Sequence, residues 1–438
     1  MYKVELNTGK SRRDQVAKNQ RIMGIFIYSL AAFFLLYEMA LQVSPSVMTA
    51  ELMHDFTIDA LKLGVMASFY FYSYSLMQIP VGVLFDRFSS RIVITLAVLM
   101  CSLGALFFGL TQDVAYASLG RFLMGIGSAF AFVAVLISAS RWFSPYYFAF
   151  LVGIAQFLAA LGALCGEVIL AIIITDFGWR VTIISLGILG IFLTLLCLLF
   201  FRDHPLKKSG EHPHHRLHFF QSFLEVFRSK QTWWIALYAF SSWGPIAVFA
   251  ALWGVPYLMV KYGISNILAS GASAMIWIGI GVVSPILGWV SNKVGKRVPL
   301  LWVCSAIGFI SSIFILYIGK IPFWLDFVFL LGMGIAGAGQ ILSFALVKDN
   351  NHTSVLATAI GVNNMAVVIG GALLQPFVGW LLHCFWNGKM EKEIPVYLVE
   401  NYQMALLVVP ICFLIGIIVS CFFIKETYCR PHHVDQLL

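Results

Sequence analysis

Apolar residues run along this chain in stretches of about 20, with few charges inside them and short polar segments between them. A run of that length spans the hydrocarbon of a bilayer when it is helical, because a helix satisfies its own backbone in lipid. Strands of a membrane barrel are half as long and alternate in polarity, and these runs do not alternate. The pattern predicts twelve transmembrane helices, at 22–46, 60–84, 91–111, 114–138, 147–174, 180–201, 231–259, 266–291, 298–319, 322–346, 353–384 and 401–424. Six lie on each side of a polar stretch. The organisation is therefore a tail over 1–21, a six-helix bundle over 22–201, a linker over 202–230, a second bundle over 231–424 and a tail over 425–438. The first tail is polar and basic, and no short apolar core ending in A-x-A follows it, so the first helix reads as an uncleaved span.

Composition agrees with an all-α membrane protein. Of 438 residues 60% are hydrophobic and 11% charged, with a mean hydropathy of +0.89, and a soluble globule cannot enclose that much apolar surface. Lys and Arg sort to one side: Lys3, Lys10, Arg12, Arg13, Lys18, Arg21, Arg87, Arg91, Arg141, the central linker, Lys293, Lys296, Arg297, Lys348, Lys425 and Arg430. Only Lys62, Arg180, Lys261, Lys320, Lys389 and Lys392 fall on the other. Positive charge stays in the cytoplasm, so both termini are expected there, in a cell inner membrane. The net charge of +8 then needs no nucleic acid to explain it.

Several tempting motifs carry no chemistry. The eight cysteines are scattered without a C-x-x-C, so no metal site or disulfide framework is expected. Gly332 to Gly337 matches G-x-G-x-x-G inside an apolar span, where small residues serve helix packing and not dinucleotide binding. No G-x-x-x-x-G-K-[ST] occurs, so the chain is not expected to hydrolyse nucleotides, and no cofactor is implied. The sequon at Asn351 falls on the cytoplasmic side. In the linker, His204, His212, His214, His215 and His218 lack acidic or cysteine partners at ligand spacing. Phe219, Phe220, Phe223 and Phe227, interleaved with charges, read as an amphipathic helix along the inner leaflet.

The chain repeats itself. Gly82 to Arg91, G-V-L-F-D-R-F-S-S-R, recurs 206 positions on as Gly288 to Arg297, G-W-V-S-N-K-V-G-K-R, so that Asp86, Arg87 and Arg91 match Asn292, Lys293 and Arg297. Gly153, Gln156, Gly162 and Glu167 match Gly361, Asn364, Gly370 and Gln375 at an offset of 208; Gly125 and Gly127 match Gly332 and Gly334 at 207. The loop pattern G-x-x-x-D-R-x-x-x-R between the second and third spans resembles the signature of the major facilitator superfamily of transporters. Arg121 opens R-F-L-M-G-I-G, similar to that superfamily's fourth-span motif R-x-x-x-G-x-G. The resemblance, of bacterial type, covers about 22–424 and implies two pseudo-symmetric six-helix bundles, with sites near the midplane between them. It also implies that Asp86 meets the start of the eleventh span when the cytoplasmic side is shut, which makes the two loop copies candidate gates.

Three ionisable residues stand out within spans: Glu38 in the first, Arg121 in the fourth and Glu167 in the fifth. Charges at that depth face a partner or an aqueous cavity. Each lies about 10 Å inside its outer helix end at 1.5 Å per residue, so the three are expected on one level, with Arg121 and Glu167 coupled. By the 207 offset the counterpart of Arg121 is Val328, a departure from symmetry. Gln42 is one turn from Glu38, and Gln156 is three turns from Glu167 on one face. Tyr37, Glu38 and Gln42 cluster before Pro45, and in the seventh span the mid-span Pro245 and Pro256 mark a bent helix that lines a cavity. The resemblance implies that the first, fourth, seventh and tenth helices line the cavity, which adds Trp243 and Gln340 as candidates; Asn364 and Gln375 follow from the repeat. The aromatic run Phe69 to Tyr74 reads as packing or gate.

The residues and the resemblance together suggest a monomeric, proton-coupled secondary transporter, a symporter taking up a small polar, zwitterionic solute such as an amino acid or short peptide. The alternatives are an efflux pump for amphipathic drugs or siderophore-like compounds, from which the missing fifth-span proline detracts, and a transporter-like membrane sensor. An enzyme is not expected, because no nucleophile with a histidine partner lies in the spans.

Overall fold

The computed structural model describes residues 2–203, 225–319, 322–352, 355–391 and 394–429. Eleven helices among these residues are long and apolar enough to cross a membrane: Gln20–Val47, Ser90–Leu110, Val114–Trp142, Phe150–Phe177, Trp179–Phe200, Lys230–Tyr262, Asn266–Val294, Val298–Tyr317, Phe323–Asn350, Thr358–Phe385 and Val399–Phe422. A twelfth, Ala60–Arg87, has the length, but its Tyr, Ser and Gln side chains lower its hydropathy. Taken in chain order these are the twelve expected spans. The first helix begins at Tyr2, so its backbone continues through the segment expected to be a separate tail. A two-stranded ribbon, Met390–Glu391 with Ile394–Pro395, lies between the eleventh and twelfth spans. The linker histidines and Phe219, Phe220 and Phe223 lie outside the described residues. Val226 is buried in the second bundle's core, and Trp233 donates to the carbonyl of Phe227 at 2.9 Å.

Several spans are broken where the sequence removes a donor or crowds the helix. The first ends in a 3-10 turn, Ser44–Val47, that begins where Pro45 supplies no N–H. The seventh carries a π turn, Phe249–Trp253, four residues past Pro245, and the fifth carries another, Cys165–Ile169, around Glu167. The fourth divides at Ala129 and Phe130, the tenth at Gly339. Such turns re-aim side chains and recur at functional sites.

The halves meet along two long seams, the second span against the eleventh and the fifth against the eighth, and where the end of the first span packs on the seventh. The second and eleventh are tight at one end: a Cβ on Gly64 would sit 2.6 Å from the Gln375 carbonyl oxygen, and one on Gly379 2.4 Å from that of Ala60. At the other end, where the chain termini lie, a Cβ on Gly82 or Gly361 would meet nothing within 4 Å. Bonds between the halves cluster at the tight end. Asn266 Nδ2 donates to the Val47 carbonyl at 2.6 Å, the Ala60 N–H donates to Tyr397 Oη at 3.1 Å, and His383 Nδ1 lies 3.1 Å from Asp59 Oδ2. The molecule is thus sealed at the end far from the termini and parted at the terminal end.

Candidate functional site

Two groups of polar side chains sit in the apolar interior. In the first, the Tyr70 hydroxyl donates to Glu38 Oε2 at 2.7 Å, and the Arg121 guanidinium lies over the Tyr70 ring, 4.7 Å from its centroid. Glycine makes this approach possible: a Cβ on Gly125 would fall 2.0 Å from the Tyr70 carbonyl oxygen, so a larger residue there would hold the fourth span off the second. Arg121 donates from Nη1 to the Leu41 carbonyl at 2.8 Å and from Nη2 to that of Gln42 at 3.3 Å, while its Nε has no partner. Glu38 and Arg121 are each 1% exposed. Gln42 enters this group through its backbone.

In the second group Glu167, fully buried, crosses the seam between the halves. Its Oε1 accepts from Trp277 Nε1 at 2.9 Å and from Ser273 Oγ at 3.3 Å, and its Oε2 has no partner. Trp277 packs edge-on against Trp243, with centroids 6.1 Å apart, so fifth, eighth and seventh spans meet through one carboxyl and two indoles. The expected coupling of Arg121 with Glu167 is not formed. Arg121 is spent on the broken end of the first span, and the π turn aims Glu167 at the opposite half. The three charges therefore divide into one pair bridged by Tyr70 and one carboxyl at the seam.

The other candidates spread around these groups. Asn364 Nδ2 donates across the seam to Gln78 Oε1, with Gln156 half-buried. Gln340 is buried at the break in the tenth span with its Oε1 unpartnered. Gln375 does not mirror Glu167 across the seam: its Nε2 donates to the Ala247 carbonyl at 2.8 Å within its own half.

At the terminal end the two loop copies differ. Arg91 donates through Nε to the Leu198 carbonyl at 2.8 Å, near the close of the sixth span. Arg297 instead reaches Asp349 Oδ2 at 2.8 Å, while Glu426 accepts the N–H groups of Arg297 and Val298 and so caps the ninth span. Asp203 does the same for the third through the Ser90 N–H at 2.9 Å. Gly288, Asn292, Arg297 and Lys348 line a cleft of about 400 Å³, and Lys293 lies 4.9 Å over the Trp289 ring. Gly82 and Arg87 are exposed. The side chain of Asp86 lies outside the described residues.

Sequence reasoning missed three participants. Tyr70, which the sequence reads as packing or gate, bridges Glu38 and Arg121. Asp326, in the first turn of the tenth helix, was overlooked as an ionisable residue within a span. Lys261 was placed in an outer loop, but its ammonium is buried 3.6 Å from Asp326 Oδ2 and donates to the Ile315 carbonyl at 2.6 Å. The last turn of the ninth helix leaves such carbonyls without donors, which is what draws the lysine inward.

Residues 23–375 match the Major Facilitator Superfamily. A probable sulfoacetate transporter, SauU of Cupriavidus necator, is 29% identical over 168 residues, 38% of this chain and 39% of that protein. The hexuronate transporter of Bacillus subtilis is 23% identical over 247 residues, 56% of this chain and 58% of the relative. The chain thus spans less than two thirds of the length of these curated relatives. Among solved structures, a bacterial homologue of the human lysosomal transporter Spinster, in an inward-facing and unoccupied conformation, superposes with a TM-score of 0.75 at 17% identity, over 92% of this chain and 98% of that one. That likeness is one of fold.

Proposed function

The chain belongs to the Major Facilitator Superfamily of transporters, and from that premise we propose that it moves a small organic acid across the membrane by alternating access, with a proton as the coupling ion. The observation that carries the substrate class is Arg121. Lys261, the other deeply buried cation among the described residues, has Asp326 beside it; Arg121 has two carbonyls, the Met124 sulfur, a ring face and one N–H without a partner. A buried guanidinium with no carboxylate of its own is an anion receptor in waiting, since its fork matches carboxylate and sulfonate oxygens. Relatives named for sulfoacetate and hexuronate support the class, because both solutes are acids. A zwitterion, the class the sequence favoured, is the second reading; Glu38 on the far side of Tyr70 supports it by offering a place for an ammonium group.

Proton coupling rests on Glu167 first and Glu38 second. A carboxylate enclosed without a cation is costly, and a bound proton removes that cost. Glu167 meets only neutral donors, and they come from the opposite half. Sealing the far end buries it; parting the seam returns it to water. We assign the terminal end to the cytoplasm on the distribution of Lys and Arg, which makes the sealed end the outer one. Gly82, Asp86, Arg87 and Arg91 with Gly288, Asn292, Lys293 and Arg297 form the inner gate in this reading, and Gln156, Trp243, Gln340 and Asn364 are the remaining substrate contacts.

The test is a ligand screen on purified protein by thermal shift, with glucuronate, galactonate and sulfoacetate against glycine and dialanine. The acids should stabilise wild type, and Arg121→Gln should abolish the shift. Stabilisation by the zwitterions alone, or an equal response of wild type and Arg121→Gln to the acids, overturns the substrate class.

A further inference from the structure

We propose that the break at the end of the first span is a strap joining Arg121 to the seal at the far end, so that an anion bound to Arg121 loosens that seal. This rests on the reading of Arg121 as the anion receptor. The origin of the strap is Pro45. In a regular helix the Leu41 carbonyl would accept from the N–H of residue 45, and proline has none. The vacancy is filled by two other donors, Ser44 Oγ at 3.0 Å and Arg121 Nη1 at 2.8 Å. The next carbonyl, of Gln42, takes Arg121 Nη2. In the sealed molecule the arginine thus serves as the cap of a broken helix.

The same turn reaches the other half. Ser44–Val47 packs against the π turn Phe249–Trp253 and the helix that follows it. Its last residue, Val47, accepts the bond from Asn266 Nδ2 at 2.6 Å. From Leu41 to Val47 the chain therefore has one end on the guanidinium and the other on the seal. An anion that takes Nη1 and Nη2 leaves the Leu41 carbonyl with Ser44 Oγ alone and removes the guanidinium from that of Gln42, and buried carbonyls that lose donors are destabilised. The turn must then rearrange, and the Val47 carbonyl moves with it.

This supplies a rule of order for the cycle. An anion alone favours the state in which the far end is open, and closure waits for a proton on Glu167, whose burial the seal requires. A ligand biases a conformational equilibrium only by its differential affinity for the two states. Here the difference is whether Arg121 is free or occupied by its own chain.

Hydrogen exchange measured by mass spectrometry on the full chain in nanodiscs tests the strap, with glucuronate as the probe. In wild type, saturating glucuronate should speed exchange of the amides at 46–52 and 266–270 about fivefold, the loss of roughly one hydrogen bond. Pro45→Ala returns an N–H to Leu41 and should show the faster exchange without ligand, with no further effect of glucuronate; Pro45→Gly restores the same N–H and serves as the second variant. Asn266→Leu should open the seal without ligand and, because the coupling is reciprocal, tighten glucuronate binding about fivefold; an affinity unchanged from wild type would refute the strap. If glucuronate binds through Arg121 and neither segment changes, the strap is refuted while the anion site stands. If both proline variants exchange like wild type in the absence of ligand, the strap is refuted whatever glucuronate does. If glucuronate binds Arg121→Gln as well as wild type, the receptor reading fails and the strap falls with it.

Discussion

The two halves share a scaffold and differ in what it holds. In the first half Gly125 brings the fourth span onto the Tyr70 carbonyl; in the second, Gly334 brings the tenth onto that of Ile276, with a Cβ there falling 2.2 Å from its oxygen. Likewise Gly162 abuts Leu36 where Gly370 abuts Gly244. These approaches set the correspondence between the halves. Tyr70 matches Ile276, Glu38 matches Ile246, and Arg121 matches Leu330, which is fully buried. The sequence offset of 207 had paired Arg121 with Val328, which faces outward at 55% exposure. The glycine doublet is shared but the register differs by two residues, because it is Gly334 and not Gly332 that faces the eighth span. A polar triad in one half thus has an apolar triad as its double. Backbone packing survives duplication unchanged, while charge, which must be matched to a ligand, is kept on one side only.

The second half has a buried ion pair of its own, Lys261 with Asp326, and it reads as structure. Each charge sits at the helix end that favours it: Lys261 at the C-terminal carbonyls of the ninth, Asp326 in the first turn of the tenth. Removing one partner strands the other, so Asp326→Ala should destabilise by about 3–5 kcal/mol. Lys261→Met with Asp326→Leu should recover most of that loss, as read by thermal unfolding, and should still transport. A folded double variant without uptake would move function into the second half.

Arg121→Gln is expected to lower organic-acid affinity roughly hundredfold, about 3 kcal/mol for losing one partner of a buried charged contact, as measured by calorimetry. Leu330→Arg should not rescue it, since its surroundings supply no counterpart of Tyr70. Trp277→Phe keeps the packing but removes the donor to Glu167, and should slow initial uptake about fivefold, the worth of one hydrogen bond. A double-mutant cycle of Arg121→Gln with Glu167→Gln, read as unfolding stability without ligand, should be additive within about 0.5 kcal/mol, because no bond joins them. Non-additivity would restore the coupling that the sequence suggested.

The smallest effect lies outside the membrane region. Burial alone would push the Asp55 carboxyl up, but hydrogen bonds from Trp179 and His54 and the charge of Arg180 outweigh it and hold it below its ordinary value. A lowered carboxyl contributes stability above its unfolded value, about 3.9, and loses it as pH falls through the folded one. Asp55→Asn should therefore matter at neutral pH and not in strong acid, seen as unfolding profiles that converge as pH falls.

Much of the fold was legible because bilayer thickness fixes helix length and repetition fixes the halves. Glu38, Arg121 and Glu167 were legible because charge within an apolar run is conspicuous. Their partners were not. Whether Arg121 meets Glu167 depends on helix rotation, and rotation is set by a proline and a π turn whose effects are not local in sequence. Tyr70 was hidden in a run of six aromatic and serine residues that differ only in the face they take. Lys261 looked like a loop charge because the Ile315 carbonyl that draws it inward lies 54 residues on.

The most direct measurement is accumulation of radiolabelled glucuronate in proteoliposomes of defined orientation, with and without an imposed inward proton gradient, for wild type and Glu167→Gln. Wild type should accumulate glucuronate above equilibrium only with the gradient, and Glu167→Gln should equilibrate it without accumulation. Wild-type accumulation that ignores the gradient would contradict proton coupling, and gradient-driven accumulation by Glu167→Gln would take that role from Glu167.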